Sequence, residues 1–508
     1  MATRPGADAP AAAAGPAPQR LNPALTREYL EEHRILPLAQ EDGRLVLAHA
    51  GAPDPQALAE LAALFGARIE LTELAEDRLL ALVRRSYGDG AATAAELIAD
   101  LDAGGLFEGE GDDLVAHDLE ELANQAPVVR LVNLLLAEAV AAGASDVHLE
   151  AGVGGMRVRY RIDGVLQDAP APPAHLRAAV VSRLKIMAEL DIAERRLPQD
   201  GRVRLRVEGH ELDVRVSTLP TLYGESVVLR LLDAEARAVG LEALGMAGDT
   251  QAALERFAAR PHGVLLATGP TGSGKTTTLY ALVERMRTGR EKIVSVEDPV
   301  EYALDGVAQV PVRSGSGLTF ARALRSILRQ DPDVLLVGEM RDPETAEICI
   351  QAALTGHLVL STLHTNDAPS ALTRLLDLGV PDYLVASTVE LVLAQRLVRT
   401  VCEGCARPAA PSSSVRSEMA ADGFEIEVIR RGAGCDACRG TGFRGRTGIY
   451  ELLAVDDDIR RELLERRGAG EIRRIALAKG MRPLRSDGWR QVAAGATTPE
   501  EVLRVTVD

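Results

Sequence analysis

The chain has no run of eighteen apolar residues, so no membrane-spanning helix is expected. Its most apolar stretch, Val128 to Ala144, is interrupted by Arg130, Asn133 and Glu138. The first residues lack the continuous apolar centre of a secretory signal, which predicts a cytoplasmic protein. Positive charge is also short. With 57 Lys and Arg against 74 Asp and Glu, the net charge is −17, which argues against a large nucleic-acid footprint, local basic patches aside, because phosphate neutralisation needs basic residues in local excess. An aromatic content of 3% leaves few stacking platforms and argues against a nucleic-acid motor. Lysine occurs only at Lys185, Lys275, Lys292 and Lys479. Cysteine is scarce too, yet four of the five form two C-x-x-C pairs, which in a cytoplasmic chain favours a metal over disulfides.

At 508 residues the chain exceeds what one hydrophobic core serves, so two or three domains are expected. Residues 1–20, rich in Ala and Pro, offer nothing to build a core and read as disordered. Residues 21–87 read as a small folded unit, with helices near 26–33 and 55–65 and strands at 44–48 and 68–71. Between Ser86 and Val129 there is no Lys or Arg, while acids recur among glycines. Residues 88–117 therefore read as a flexible acidic linker.

A second unit spans 118–236 and opens with an amphipathic helix. Met156, Val158, Tyr160 and Ile162 alternate with Arg157, Arg159 and Arg161, the period of a half-buried strand, and Asp163-Gly164 predicts a hairpin turn. A helix at 174–190 and strands at 202–207, 211–218 and 226–232 make this an α+β domain. From residue 237 to 508 short continuous apolar runs alternate with helices. Strands are expected at Gly263–Thr268, Ile293–Glu297, Val334–Val337 and Leu358–Leu363, which predicts an α/β domain with a parallel sheet.

Gly269-Pro-Thr-Gly-Ser-Gly-Lys-Thr276 fits G-x-x-x-x-G-K-[ST] and lies where that motif works, after an apolar strand and opening a helix. Glycines let consecutive N–H groups curl round an anion, and the helix N-terminus adds partial positive charge. Gly269, Pro270, Thr271, Gly272, Ser273, Gly274, Lys275, Thr276 and Thr277 are the candidate nucleotide-binding residues. Lys275 would reach the β- and γ-phosphates and Thr276 would hold Mg²⁺. Hydrolysis needs further groups. Glu297 and Glu339 each end a strand, where ligands bind in open α/β sheets. His364 ends a fourth strand at the same sheet edge and is a candidate γ-phosphate sensor. His357, at the start of that strand, is a weaker one.

These elements, in this order, resemble the secretion ATPase superfamily, and in detail the general type II secretion ATPases. The resemblance covers residues 118–508. It is carried by Ala144-Ser-Asp-Val-His148, Arg195-Arg-Leu-Pro-Gln-Asp-Gly-Arg202, the P-loop, Val296-Glu-Asp-Pro-Val-Glu301, Arg329-Gln-Asp-Pro-Asp333, Gly338-Glu339 and residues 355–366. It implies a RecA-like ATPase domain preceded by a PAS-like α+β domain and a small N-terminal domain, hydrolysing ATP with Mg²⁺. Gly338 stands where most P-loop enzymes place a Mg²⁺-binding Asp, which shifts that duty to Glu339. Glu339 and Glu297 then share Mg²⁺ ordering and water activation, with the base left open between them. A homohexamer is implied, in which arginines of the 118–236 domain complete the nucleotide pocket. Arg215 and Arg230 fit that role, Arg215 facing away from a core formed by Leu212, Val214 and Val216, and Arg202 is a third candidate. The N-terminal unit is expected to bind the cytoplasmic part of a bitopic inner-membrane protein (GspL-like), and a polytopic platform protein (GspF-like) is a further partner. The chain is thus expected to attach peripherally to the inner membrane through proteins. Type IV pilus extension ATPases carry the same motifs and remain the alternative.

Cys402, Cys405, Cys435 and Cys438 suit a closed, structural tetrahedral Zn²⁺ site. The 29 residues between the pairs exceed the common zinc-ribbon spacing, which leaves a redox pair open. The resemblance favours zinc, since a tetracysteine insertion (residues 396–447) is a family feature. Cys349 is expected to be a buried free thiol.

Overall fold

The computed structural model describes residues 25, 27–41, 44–51, 53–87, 93–104, 116–207, 210–233 and 239–506. The expectation of disorder over residues 1–20 lies outside them. Among the described residues no helix is long and apolar enough to cross a membrane.

In the N-terminal unit, helix Arg27–His33 leads into strand β1 (Ile35–Glu41), β2 (Arg44–His49), helix Pro55–Phe65, β3 (Arg68–Glu73) and helix Glu76–Tyr87. β2 is central, antiparallel to β1 and parallel to β3. Its alternation turns Leu45 and Leu47 inward, against Leu30, Leu61, Leu79 and Val83 from the three helices.

The stretch read as a linker contains a packed helix, Ala94–Gly104. Ala94, Leu97 and Leu101 fall at helical spacing on one face and join the core of the second unit. The Ala94 N–H donates to the Glu138 carboxylate at 2.8 Å. Glu96 is exposed on the other side of this helix, and the linker expectation fails for that part.

Two helices, Ala116–Ala123 and Ala126–Ala141, open the second unit. Strands β4 (Ala144–Gly152), β5 (Gly155–Ile162), β6 (Val165–Ala169), β7 (Gln199–Val207), β8 (His210–Thr221) and β9 (Gly224–Asp233) form an antiparallel sheet ordered β6-β5-β4-β9-β8-β7. Asp163 and Gly164 take φ of 50° and 81°, the left-handed pair of a two-residue hairpin turn. Helices Ala126–Ala141 and Arg177–Met187 cover the apolar face, where Val147, Val158, Tyr160, Val214 and Leu229 pack on Leu131, Leu135, Val180 and Leu184. The opposite face carries the arginines.

The third unit holds β10 (Gly263–Thr268), β11 (Ile293–Glu297), β12 (Ala308–Pro311), β13 (Val334–Val337), β14 (Leu358–Leu363), β15 (Val389–Val401) and, beyond a two-stranded ribbon of β16 (Ala406–Ala409) and β17 (Ile429–Gly432), β18 (Phe443–Ala454). The sheet order is β12-β11-β13-β14-β10-β15-β18. β10, β11, β13 and β14 are buried along their whole length, as strands covered on both faces must be. The expectation of a parallel sheet holds for six strands. β18 runs antiparallel to β15, because the chain leaves β15 into the cysteine segment and returns from the same end of the sheet. Helices Asp457–Leu464, Ala469–Ala478, Leu484–Ala493 and Pro499–Thr506 follow.

Candidate active site

The P-loop joins β10 to helix Lys275–Met286. Gly269, Gly272 and Gly274 have φ of 144°, 77° and 86°, which L side chains rarely adopt. A Cβ on Gly269 would lie 2.5 Å from the Gln395 carbonyl oxygen, and one on Gly274 would lie 2.7 Å from the Gln395 amide nitrogen. Gln395, buried on β15, is therefore the floor of the loop, and its Oε1 also accepts from Thr278 Oγ1 at 2.8 Å. Lys275 is buried and its Nζ donates to Gly269 O at 2.7 Å and Pro270 O at 3.0 Å. Burial and then Arg396 push its pKa down to about 8, with Glu339 acting the other way. Ser273 Oγ is buried with no hydrogen-bond partner. A ring of glycine amides, a buried cation and an orphaned hydroxyl fit a polyphosphate.

The ends of β11, β13 and β14 are stitched beside the loop. Gly338 N–H donates to Val296 O at 2.8 Å, Thr362 Oγ1 to Gly338 O at 2.7 Å, and Met340 N–H to Thr362 O at 3.0 Å. A Cβ on Gly338 would sit 3.4 Å from the Glu297 Cα. Glu339 is buried. It lies 2.6 Å from Arg341 Nε and 3.4 Å from the Nε2 of the half-exposed His364. Glu297 is buried as well, but its carboxylate accepts from Tyr280 Oη, Ser295 Oγ and, at 3.2 Å, Gln309 Nε2. The fold thus brings Glu339 and His364 together and ties Glu297 into a network of neutral donors. His357 sits at the far end of β14, its Nδ1 2.9 Å from Ala352 O, a helix-end contact remote from the strand ends that hold Glu339 and His364.

Tyr280, Ser295, Gln309, Arg341 and Gln395 were not singled out by motif. For Gln395 there was a signal, a polar pair with Arg396 inside the apolar run of β15. The others are recognisable only once the strands are in register.

Arg202, Arg215, Arg230 and Asp146 stand directly opposite one another across β7, β8, β9 and β4. Arg202 is engaged by Asp213, and Arg230 lies 3.1 Å from Asp146. Arg215 reaches the third unit of the same chain, donating to Val300 O at 3.3 Å and lying 3.9 Å from Glu301. Asp163 adds a second contact between these units, accepting from Gly445 N–H at 2.8 Å.

The four cysteine sulfurs lie within 4.8 Å of one another. Cys402–Cys435, Cys405–Cys438 and Cys435–Cys438 are separated by 3.9, 3.8 and 3.7 Å. A tetrahedron of thiolates at ordinary zinc–sulfur distance has an edge of about 3.8 Å. Burial opposes a charged Cys438, but N–H groups of Cys435 and Gly442 donating to its sulfur hold its pKa down to about 6. Such a donor set can hold a metal ion. The long spacing between the pairs is explained by helix Ser413–Ala421, inserted between β16 and β17 and packed through Val415 and Met419 on Trp489 and Val502. Cys349 is a buried free thiol whose pKa burial pushes up.

Residues 121–504 match the family model described as type II/IV secretion system protein. The chain belongs to that family. Residues 4–93 match a second model, the MshEN domain. Type II secretion system protein E of Xanthomonas campestris pv. campestris is 47% identical, over 95% of this chain and 85% of its own. Type II secretion system protein HxcR of Pseudomonas aeruginosa is 50% identical over 85% and 88%, and the type II secretion system ATPase E of Vibrio cholerae 44% over 89% and 90%. Among solved structures, the pilus retraction motor PilT with bound ADP aligns at a TM-score of 0.50 and 25% identity, over 74% of this chain and 97% of its own. The Legionella pneumophila ATPase DotB, at 0.54, 18%, 78% and 97%, shares the fold. By family, this chain is an ATPase.

Proposed function

We propose that the chain is the cytoplasmic motor of a type II secretion system, a homohexamer that hydrolyses ATP to drive pseudopilus assembly and protein export. The observation that carries this is likeness to type II relatives across almost the whole chain, the N-terminal unit included, joined to a P-loop with Glu339 and His364 beside it. The backbone N–H groups of residues 271–277 and the Lys275 ammonium hold the phosphates. Thr276 and Glu339 are the residues that would hold Mg²⁺, which when bound supplies charge neutralisation on the β- and γ-oxygens. Glu339 orients the attacking water and His364 senses the γ-phosphate. Glu297, held by three donors, fixes the strand-end geometry and is the second candidate for the base. Arg215 and Arg230 complete the pocket from a neighbouring copy. Zn²⁺ at the four cysteines is structural, because all four positions are protein ligands.

The N-terminal unit docks on a bitopic GspL-like membrane protein and the ATPase domain works on a GspF-like platform. In a strain lacking the chain, wild type should restore export of secreted enzymes and Lys275→Ala should not. Loss of surface pili with export intact would replace this reading by pilus extension. Export restored equally by both would end the motor reading.

A further inference from the structure

Two cations flank the P-loop, and neither has a carboxylate of its own in contact among the described residues. Lys275 is buried, and the carboxylate that favours its charge, Glu339, is already engaged by Arg341. On the other side of the loop stands Arg396, the residue after the Gln395 floor. One of its terminal nitrogens would lie 3.0 Å from a Cβ on Gly269. Arg396 is half-buried, and its hydrogen bonds go to neutral oxygens: Gln395 O at 3.2 Å, Asn366 O at 3.1 Å and the Asn366 side-chain oxygen at 3.3 Å. Among the described residues no carboxylate lies within ion-pairing distance of it. A partly desolvated guanidinium with no carboxylate in contact is costly, Glu451 and Asp367 favouring its charge only from beyond ion-pairing distance, and it also repels Lys275. An anion bound at the loop would offset both charges at once.

We infer that Arg396 is a nucleotide-binding residue, a second cation for the phosphate chain, which also ties the bound phosphates to Asn366 in the loop that follows His364. The inference rests on nucleotide binding at the P-loop. A charge-assisted hydrogen bond to phosphate is lost when the guanidinium is removed, which corresponds to about tenfold or more in affinity.

The test is calorimetric titration of the full-length protein with MgADP, comparing wild type with Arg396→Lys, Arg396→Gln and Lys275→Ala. Gln keeps a donor for Asn366 and loses the charge, whereas Lys keeps the charge. Arg396→Gln should weaken MgADP by about tenfold or more and Arg396→Lys by clearly less. Arg396→Gln binding within about twofold of wild type, with Lys275→Ala weakened, makes Arg396 a loop tie only and overturns the inference. Lys275→Ala binding as wild type would instead overturn the P-loop reading beneath it. On the unmutated protein, saturating MgADP should block phenylglyoxal modification of Arg396, mapped by mass spectrometry. Unprotected modification would count against the inference whatever the variants do.

Discussion

Lys275 should make nucleotide binding proton-linked in a window set by its own burial. In the nucleotide-free chain, burial and Arg396 hold its pKa near 8 against an ordinary 10.5. Phosphate oxygens favour the charged form, so the bound-state pKa rises. For a group whose pKa is raised by its partner, the gain is fully present below the lower value and is lost as pH climbs through the higher one. Affinity should therefore be flat below about pH 7 and fall above about pH 8 by up to about tenfold, or about 1.4 kcal/mol, per unit. Proton uptake accompanies binding: about a tenth of a proton at pH 7, half at pH 8 and nine-tenths at pH 9. Phosphate itself titrates near pH 6, below this window. Calorimetry of MgADP binding in two buffers of different ionisation enthalpy reads the uptake directly. Tight binding at pH 8 to 9 with no uptake would refute the reasoning, since Lys275 would then be charged in both states. Because Arg396 is one cause of the low value, Arg396→Gln should move the uptake to higher pH.

Glu339→Gln should keep ATP binding and lose turnover by about a hundredfold or more, and unchanged hydrolysis would remove Glu339 from the site. The single tryptophan, Trp489, is fully buried and donates to Asp422 at 2.7 Å, beside the helix of the cysteine segment. If the four cysteines hold the proposed structural metal, chelation or Cys435→Ser should unfold that segment, because metal-ligand energy is then folding energy, and should red-shift tryptophan emission. Unaltered emission and melting after complete chelation would rule out a structural metal. Despite burial, Arg399 and Arg504 hold Glu501 down to about 2. Its folded-state pKa is depressed, so the stability it gives is present above the unfolded value of about 4.3 and is lost as pH falls from there through about 2. Acid unfolding of Glu501→Gln should be flatter across that window, and an identical profile would show that Glu501 contributes nothing.

What was legible in the sequence depended on how local its cause is. β10, β11, β13 and β14 match their expected bounds because double-sided burial writes itself as an unbroken apolar run. The P-loop was legible for the same reason, since its glycines answer to local backbone geometry. Helix Ala94–Gly104 was hidden because three small or aliphatic residues among acids suffice when another unit supplies the rest of the core. The direction of β18 was not legible, because it follows from the cysteine segment returning to the edge it left. Glu297 and Glu339 looked equivalent as strand-end acids. Their difference comes from Tyr280, Ser295 and Gln309 on one side and Arg341 and His364 on the other, contacts made by residues distant in the chain or without a motif of their own.

The arginines show the same limit and its resolution. Alternation along β8 places Arg215 on the face away from the core, but only the register lines it up with Arg202 and Arg230. Like charges directly opposite on neighbouring strands are destabilising, so such a row needs negative charge from elsewhere. Asp213 answers for Arg202 and Asp146 for Arg230. For Arg215 the answer comes from outside its own domain, from Val300 O and Glu301 just beyond the end of β11. A carbonyl and a carboxylate at 3.9 Å are weak partners beside a γ-phosphate, which offers more charge and more acceptor oxygens. The sheet therefore presents an arginine whose partners in this structure are weak, as the proposed role at a γ-phosphate requires. On the proposed role of Arg215 at a neighbouring copy's γ-phosphate, hydrolysis would remove the stronger partner and return the side chain to Val300 O and Glu301 of its own chain.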